Sequence, residues 1–175
     1  MTAVKQANQA AGGASQEARQ YLTFMLQGEM FAIGILHIKE IIEYGTLTTV
    51  PMMPPFIRGV INLRGAVVPV VDLAARFGRP ASTINPRSCI VILELRVADR
   101  TRVVGVVVDA VNAVLEIGDG DIEPPPAFGT NVRTEFIQGM GKLRQGFVIV
   151  LNVDGILSVE DLSLIGQTES MADGR

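Results

Sequence analysis

Along most of the chain, short runs of alternating apolar and polar residues are bounded by Gly, Pro, Asn and Asp, and this pattern predicts β-strands. The clearest example predicts two strands, 59–63 and 66–71, joined by a two-residue turn at Arg64 and Gly65. Glycine supplies the positive φ that such a turn needs. A short helix should follow, because the carboxylate of Asp72 is placed to cap it.

The same pattern returns in the second half of the chain. Residues 136–157 align without a gap with residues 56–77, at a constant offset of 80 positions. Ordinary composition would give about one or two identities in a window of this length. The two stretches share more than that, so the chain is predicted to contain an internal repeat. Seven positions are identical: Phe56 and Phe136, Ile57 and Ile137, Gly59 and Gly139, Leu63 and Leu143, Arg64 and Arg144, Val68 and Val148, and Val70 and Val150.

Each half of the chain is predicted to contribute about five short strands. Besides the two hairpins above, the pattern places strands at 21–26 and 30–35 in the first half and at 89–95 and 102–108 in the second. Residues 35–43 fit either a strand or one helical turn. Five short strands are the content of a small closed barrel, in which closure removes exposed edges. The predicted fold class is therefore all-β, with two related five-stranded barrels packed together.

The chain is predicted to form one domain made of two lobes. Whether strands are exchanged between the lobes is left open by the sequence. Ser158 followed by Asp161 resembles a capping box and predicts a short closing helix, and the polar ends of the chain are predicted to be disordered. The predicted boundaries are 1–20 for an N-terminal tail, 21–166 for the domain, with lobes at about 21–80 and 88–157 and the closing helix at 158–166, and 167–175 for a C-terminal tail.

A proline-rich connection precedes the first repeat. Pro51, Pro54 and Pro55 exclude a central strand at this point, because proline cannot donate to a strand ladder. Met52 and Met53 lie between these prolines. Both are interpreted as core-filling residues in preference to an adaptable contact surface.

The charge balance argues against nucleic acid or anionic lipid as partners. The chain has 15 Lys and Arg against 18 Asp and Glu, a net charge of −3. No apolar run approaches the roughly 18 residues of a membrane span, and the N-terminus lacks the apolar core of a signal peptide. The single cysteine, Cys89, lies in an apolar run, which favours a buried thiol in a cytoplasmic protein over half of a disulfide.

Residues that could perform catalysis or ligate a metal are scarce. His37 is the only histidine and Cys89 the only cysteine, so a usual zinc site or nucleophilic triad has too few members. The acidic residues in 118–123 lack the spacing of a calcium loop, and the glycines of GMGKLRQG lack the Walker pattern. The chain is predicted not to be an enzyme and to bind no cofactor or metal.

The remaining candidates are surface residues around the first predicted hairpin. Arg64, with Arg58 and Asn62 nearby, is either a solvated turn residue or an interface anchor, because arginine joins a fixed fork of donors to an apolar stem. Ile38 and Glu40 pose a similar choice. They could form the solvent side of a strand or the charged rim of an apolar docking groove.

Several separated motifs, in order, resemble the CheW family of chemotaxis coupling proteins. FIRGVINLRGAVVPVVDL closely resembles the family signature. Further matches are ILHIKEII, RVVGVVVDAVNAVL, IEPPPAFGTNVRTEFIQGMGKL and VIVLNVDGIL. The resemblance covers roughly residues 21–165, almost the whole predicted domain.

This resemblance implies two SH3-like barrels around a shared hydrophobic centre and no catalysis. Proteins like this couple the cytoplasmic tips of chemoreceptors (methyl-accepting chemotaxis proteins) to the regulatory domain of the histidine kinase CheA. The implied location is the cytoplasm, with recruitment to membrane receptor arrays. A close alternative is the same adaptor role in another chemosensory circuit, such as twitching motility. By motif, the resemblance assigns receptor or kinase contacts to Ile38, Glu40, Arg58, Gly59, Arg64 and Val114.

Overall fold

The structure is a computed structural model that describes residues 18–125, 132–144 and 146–158, together with residues 160, 161 and 163. A short helix, α1 (Leu73–Arg76), is capped by Asp72, whose carboxylate accepts from Ala75 N–H as predicted. Single 3₁₀ turns lie at Ile35–His37, Asp119–Asp121, Thr134–Phe136 and Val153–Gly155. The described residues form the strands β1 (Ala18–Leu26), β2 (Glu29–Gly34), β3 (Ile38–Glu43), β4 (Ile57–Leu63), β5 (Ala66–Asp72), β6 (Cys89–Val97), β7 (Arg100–Val108), β8 (Ala110–Gly118), β9 (Ile122–Glu123), β10 (Ile137–Leu143) and β11 (Gly146–Leu151). The all-β prediction is confirmed, and the ambiguous residues 35–43 prove to be a helical turn followed by a strand.

The strands form two curled sheets, which we call the middle barrel and the terminal barrel. The middle barrel has the strand order β3-β6-β7-β5-β4. The terminal barrel has the order β8-β1-β2-β11-β10-β9. Its sixth strand, β9, is only two residues long, and the middle barrel has a single bridge between Thr48 and Val60 at the related position. The prediction of two related barrels is confirmed.

The two barrels exchange strands. The first hairpin of each half, β1–β2 or β6–β7, lies in one barrel, and the later strands of that half lie in the other. This arises because β3 pairs with β6, and β8 pairs with β1. The predicted lobes 21–80 and 88–157 are therefore not the structural units. The middle barrel covers 38–108, and the terminal barrel combines 18–34 with 110–151. Apolar alternation specifies which face of a strand is buried, not which strand lies beside it.

The internal repeat is visible in the strand register. The hairpins β4–β5 and β10–β11 pair their residues in the same way. Each contains a β-bulge at the same position, whose extra residue is Arg58 in the first hairpin and Gln138 in the second. Each second strand then pairs in parallel with a strand of the other half of the chain. The corresponding pairs on either side of the bulge are Ile57–Val71 with Ile137–Leu151 and Gly59–Val70 with Gly139–Val150.

The interior consists of three apolar clusters. One lies within each barrel, and the largest lies between the barrels and receives side chains from both. The aromatic rings of the central cluster form a row, with centroid separations of 6.0, 5.8 and 5.3 Å. This cluster confirms the shared hydrophobic centre. The rings of the row are those of Phe24, Phe31, Phe77 and Phe136.

Arg76 of α1 crosses from the middle barrel to the terminal part of the chain. Its guanidinium lies over the rings of Phe56 and Phe136, 4.7 and 5.1 Å from their centroids. These two rings are repeat counterparts of each other. The same side chain donates to Ile156 O (2.6 Å) and to the Asp161 carboxylate (3.2 Å). One arginine therefore ties the two halves of the chain at their shared core.

The ends of the described chain differ in part from prediction. β1 begins at Ala18, before the predicted end of the tail at residue 20, because Ala18 to Tyr21 pair with β8. Residues 1–17 lie outside the described residues. The capping box is confirmed: Ser158 Oγ accepts from Asp161 N–H (3.0 Å), and the Asp161 carboxylate accepts from Ser158 N–H (2.9 Å). Most of the predicted closing helix and the tail 167–175 lie outside the described residues.

Candidate functional site

The turn of the β4–β5 hairpin presents Arg64. Arg64 and Gly65 have φ of 52° and 90°, the left-handed values of a type I′ turn. Asn62 Oδ1 accepts a hydrogen bond from Gly65 N–H (3.0 Å), which fixes the turn. A residue other than glycine at such a φ costs about 1 kcal/mol or more. The turn therefore holds Arg64 in an unfavourable backbone conformation while its side chain stays 72% exposed.

Glu40 on β3 is the partner of this arginine. The Arg64 guanidinium donates a hydrogen bond to the Glu40 carboxylate, and the two form an ion pair. A bulge in β3, whose extra residue is Lys39, sets the direction of Glu40, whereas Ile38 packs against the shared core. Exposed ion pairs contribute only about 0–1 kcal/mol to stability. This pair therefore orients Arg64 more than it stabilises the fold. We call Glu40, Asn62 and Arg64 the first-hairpin surface.

Arg58 points into the protein. As the extra residue of the β4 bulge, it donates to the Asp72 carboxylate (2.8 Å), to Tyr44 Oη (3.1 Å) and to Ser82 O (3.2 Å). Asp72 is 1% exposed and also accepts from Ser82 N–H and Oγ–H and from Ala75 N–H. Burial lowers the pKa of the Arg58 guanidinium, but its hydrogen bonds with Tyr44 and Asp72 outweigh this and raise the pKa above its ordinary value. Arg58 thus holds the helix cap and lies apart from the first-hairpin surface.

Gly59 allows two segments of backbone to approach each other. It is buried, and its φ is 154°. A Cβ at this position would lie 2.5 Å from Thr48 O, the carbonyl that accepts from Val60 N–H. Glycine is therefore required here by the fold itself.

Val114 lies on β8 in the terminal barrel and is 47% exposed. Its counterpart in the first half is Ile41 on β3, which is 41% exposed. Each pairs with a residue of the shared core, Val114 with Leu22 and Ile41 with Val91. The two aliphatic side chains therefore mark related positions on the two barrels. The sequence-predicted candidates thus divide: Glu40, Asn62 and Arg64 come together, and Val114 belongs to the other barrel.

Other exposed apolar residues were not among the predicted site residues. Leu36 is 93% exposed, Met52 94% and Phe147 57%. The interpretation of Met52 as core is wrong, because its positive φ of 66° turns it away, whereas Met53 packs against the shared core. Phe147 could have been found from the repeat, since its counterpart, Val67, adjoins the Arg64 turn.

The described residues show no constellation for catalysis. Within 18–125, 132–144 and 146–158, no group of three His, Cys, Asp or Glu residues could hold a metal ion. Burial and the charge of Glu43 raise the pKa of the Cys89 thiol, which disfavours a nucleophilic thiolate. The helices in this part of the chain are also too short or too polar to cross a membrane.

Comparison with known proteins identifies the family. The chain matches the CheW-like domain over residues 20–161. The chain belongs to the CheW family. It is 34% identical to chemotaxis protein CheW of Klebsiella aerogenes over 147 residues, covering 84% of this chain and 86% of the relative. It is 32% identical to chemotaxis protein CheW of Rhizobium meliloti over 143 residues, covering 82% and 90%.

The fold agrees with that of a solved CheW structure. The scaffolding protein TtCheW from Thermoanaerobacter tengcongensis superposes with a TM-score of 0.74 at 30% identity, covering 85% of this chain and 94% of that chain. CheW-family proteins are scaffold and adaptor proteins of chemotaxis, not enzymes. Protein FrzA of Myxococcus xanthus is also similar, with 28% identity over 133 residues that cover 76% of this chain and 80% of that protein.

Proposed function

We propose that this chain is a non-catalytic adaptor that couples chemoreceptors to the regulatory domain of a CheA-type histidine kinase. Arg64 carries the proposal. Its backbone is held at a left-handed φ, its side chain is 72% exposed, and its ion pair with Glu40 contributes little stability. A sequence retains such a residue when its side chain serves contact with a partner.

The two barrels suit an adaptor that acts through geometry. Their shared core and the crossing Arg76 fix the barrels relative to each other. A contact at the first-hairpin surface is therefore held at a constant distance from a contact near Val114 on the other barrel. Ile41 and Val114 supply apolar area on the two barrels, and Glu40, Asn62 and Arg64 supply a polar rim. In the cell, the adaptor would lie in the cytoplasm and be recruited to receptor arrays.

The similarity to FrzA supports a second candidate, the same adaptor role in another chemosensory circuit such as twitching motility. The surface chemistry would be the same in both circuits. The receptors and the kinase would differ, so binding to purified partners distinguishes the two.

Titration calorimetry tests the proposal with the kinase regulatory domain and a receptor cytoplasmic fragment from the same organism. We expect one-to-one binding of each, and Arg64→Ala should weaken one of them at least tenfold, about 1.4 kcal/mol. Arg133→Ala is a matched control, because Arg133 is also 72% exposed and paired with a nearby acid, Glu135. Absence of binding at concentrations up to about 100 μM, where a contact near −5.5 kcal/mol would be seen, would favour the other circuit.

A further inference from the structure

The second hairpin, β10–β11, repeats the arginine of the first but not its acid. Arg144 stands at the turn, at the position of Arg64, and is exposed. The alignment that matches Ile41 with Val114 places Ala113 where the first half has Glu40. Consistent with this loss, no ion pair or hydrogen bond is formed by Arg144 among the residues that the structure describes. Arg144 thus has the geometry of a carboxylate-binding residue and no carboxylate in its own barrel.

An exposed aromatic ring lies beside this arginine. Phe147 is 57% exposed and pairs across the hairpin with Lys142. The corresponding cross-strand pair in the first hairpin is Asn62 with Val67, and Val67 is half-buried. The second hairpin therefore replaces a neutral pair by a cation and an exposed ring. Lys142 forms only a loose ion pair with Glu123, 3.6 Å apart and exposed on both sides.

We propose that Lys142, Arg144 and Phe147, the second-hairpin surface, bind a segment of a partner protein that carries a carboxylate next to an apolar side chain. A guanidinium fork holds a carboxylate through two hydrogen bonds, and an adjoining aromatic ring excludes water from them. Within the same molecule, the related Arg64 already binds the carboxylate of Glu40. Nucleic acid and anionic lipid are disfavoured, because only two cations are present here, Glu123 adjoins them, and the net charge is −3.

The first test uses the full chain and a probe that does not depend on the proposed function. The ¹⁵N-labelled protein is titrated with the peptide acetyl-Glu-Leu-Leu-Glu-amide up to about 5 mM, where weak binding near a millimolar Kd is visible. We expect chemical-shift changes at residues 142–147 that are absent in Arg144→Glu and absent with the Gln-Leu-Leu-Gln peptide. Shifts elsewhere only, or equal shifts in Arg144→Glu, would overturn the proposal.

The second test rests on the proposed function and uses the two proposed partners. Arg144→Glu should weaken the kinase regulatory domain or the receptor fragment at least tenfold relative to Arg133→Glu, and Phe147→Ala should weaken the same partner. Equal binding of both partners by Arg144→Glu and Arg133→Glu would overturn this inference alone. If the wild type bound neither partner, the proposed function would fail, and the peptide titration would decide the inference by itself. Loss of binding to phosphatidylglycerol vesicles or to an oligonucleotide in Arg144→Glu, without an effect on the proteins, would overturn the assignment to a carboxylate.

Discussion

The hairpins β4–β5 and β10–β11 have one backbone and two surfaces. They share their register, their bulge and an arginine at the turn. In the first hairpin the arginine is paired with Glu40, and the residue beside it is aliphatic. In the second, Arg144 has no acid in its barrel, and Phe147 stands exposed beside it. The positions that fix the hairpin are thus kept in both copies, whereas the exposed positions differ.

The bulge residues show the same division in the interior. Arg58 closes a buried ionic cluster around Asp72 in the first repeat. The matching positions in the second repeat hold Gln138 and Asn152, and Asn152 makes one exposed hydrogen bond to Glu135 O. The first repeat therefore depends on a buried charge pair where the second uses neutral amides. The predictions below test how far the two copies are equivalent.

The largest expected effect is at this cluster. Asp72→Ala should lower the free energy of unfolding by about 3–5 kcal/mol, because it leaves the Arg58 guanidinium and the Ser82 donors without their acceptor. The counterpart Asn152→Ala should cost only about 1 kcal/mol, the size of one ordinary hydrogen bond. Urea denaturation of both variants measures the difference. Equal losses would show that the two caps are equivalent after all.

The bulge glycines should behave alike. Gly59→Ala places a Cβ 2.5 Å from Thr48 O, and Gly139→Ala places one 2.6 Å from Ile122 Cγ2 and 2.8 Å from Glu123 O. Each should destabilise by about 2 kcal/mol or more, since backbone must move in both cases. Gly45→Ala is the control, because an added Cβ there meets nothing within 4 Å. The readout is the thermal unfolding midpoint, and a tolerated substitution at one bulge only would break the structural half of the comparison.

A smaller effect, of opposite sign, is expected at the first turn. Arg64→Asn gives the Asn-Gly pair preferred in type I′ turns and should stabilise by about 0.5–1 kcal/mol. Ala98→Asn, at φ 51° in the β6–β7 turn, should stabilise by a similar amount. Only Arg64→Asn should also lose partner binding, which calorimetry measures. A destabilised Arg64→Asn variant would make Arg64 a structural residue.

Local features of the fold were predictable from the sequence, because they depend on neighbouring residues. The Arg64–Gly65 turn, the Asp72 cap and the Ser158 capping box all follow from residues a few positions apart. Strand exchange was not predictable, because the pattern of β3 would suit either neighbouring hairpin. The inward direction of Arg58 was missed for a related reason: a one-residue bulge shifts the alternation, and nothing in the alternation marks it.

The candidate site was predictable only in part. The turn position indicated that Arg64 would be exposed, but its ion pair with Glu40 required the register of β3, which the sequence does not contain. The repeat did carry a usable signal for the second hairpin. Arg144 is one of the identities at offset 80, and comparing the residues around it with those around Arg64 would have identified both the missing acid and Phe147.

The central claim is that this chain bridges two proteins, and a bridging experiment tests it most directly. A receptor cytoplasmic fragment is immobilised, and the kinase regulatory domain is passed over it with and without this chain. We predict that the kinase domain is retained only when the chain is present, in proportion to the chain bound, and that retention falls with Arg64→Asn but not with Ala98→Asn. Retention that does not require the chain, or competition between receptor and kinase domain for it, would contradict the adaptor account.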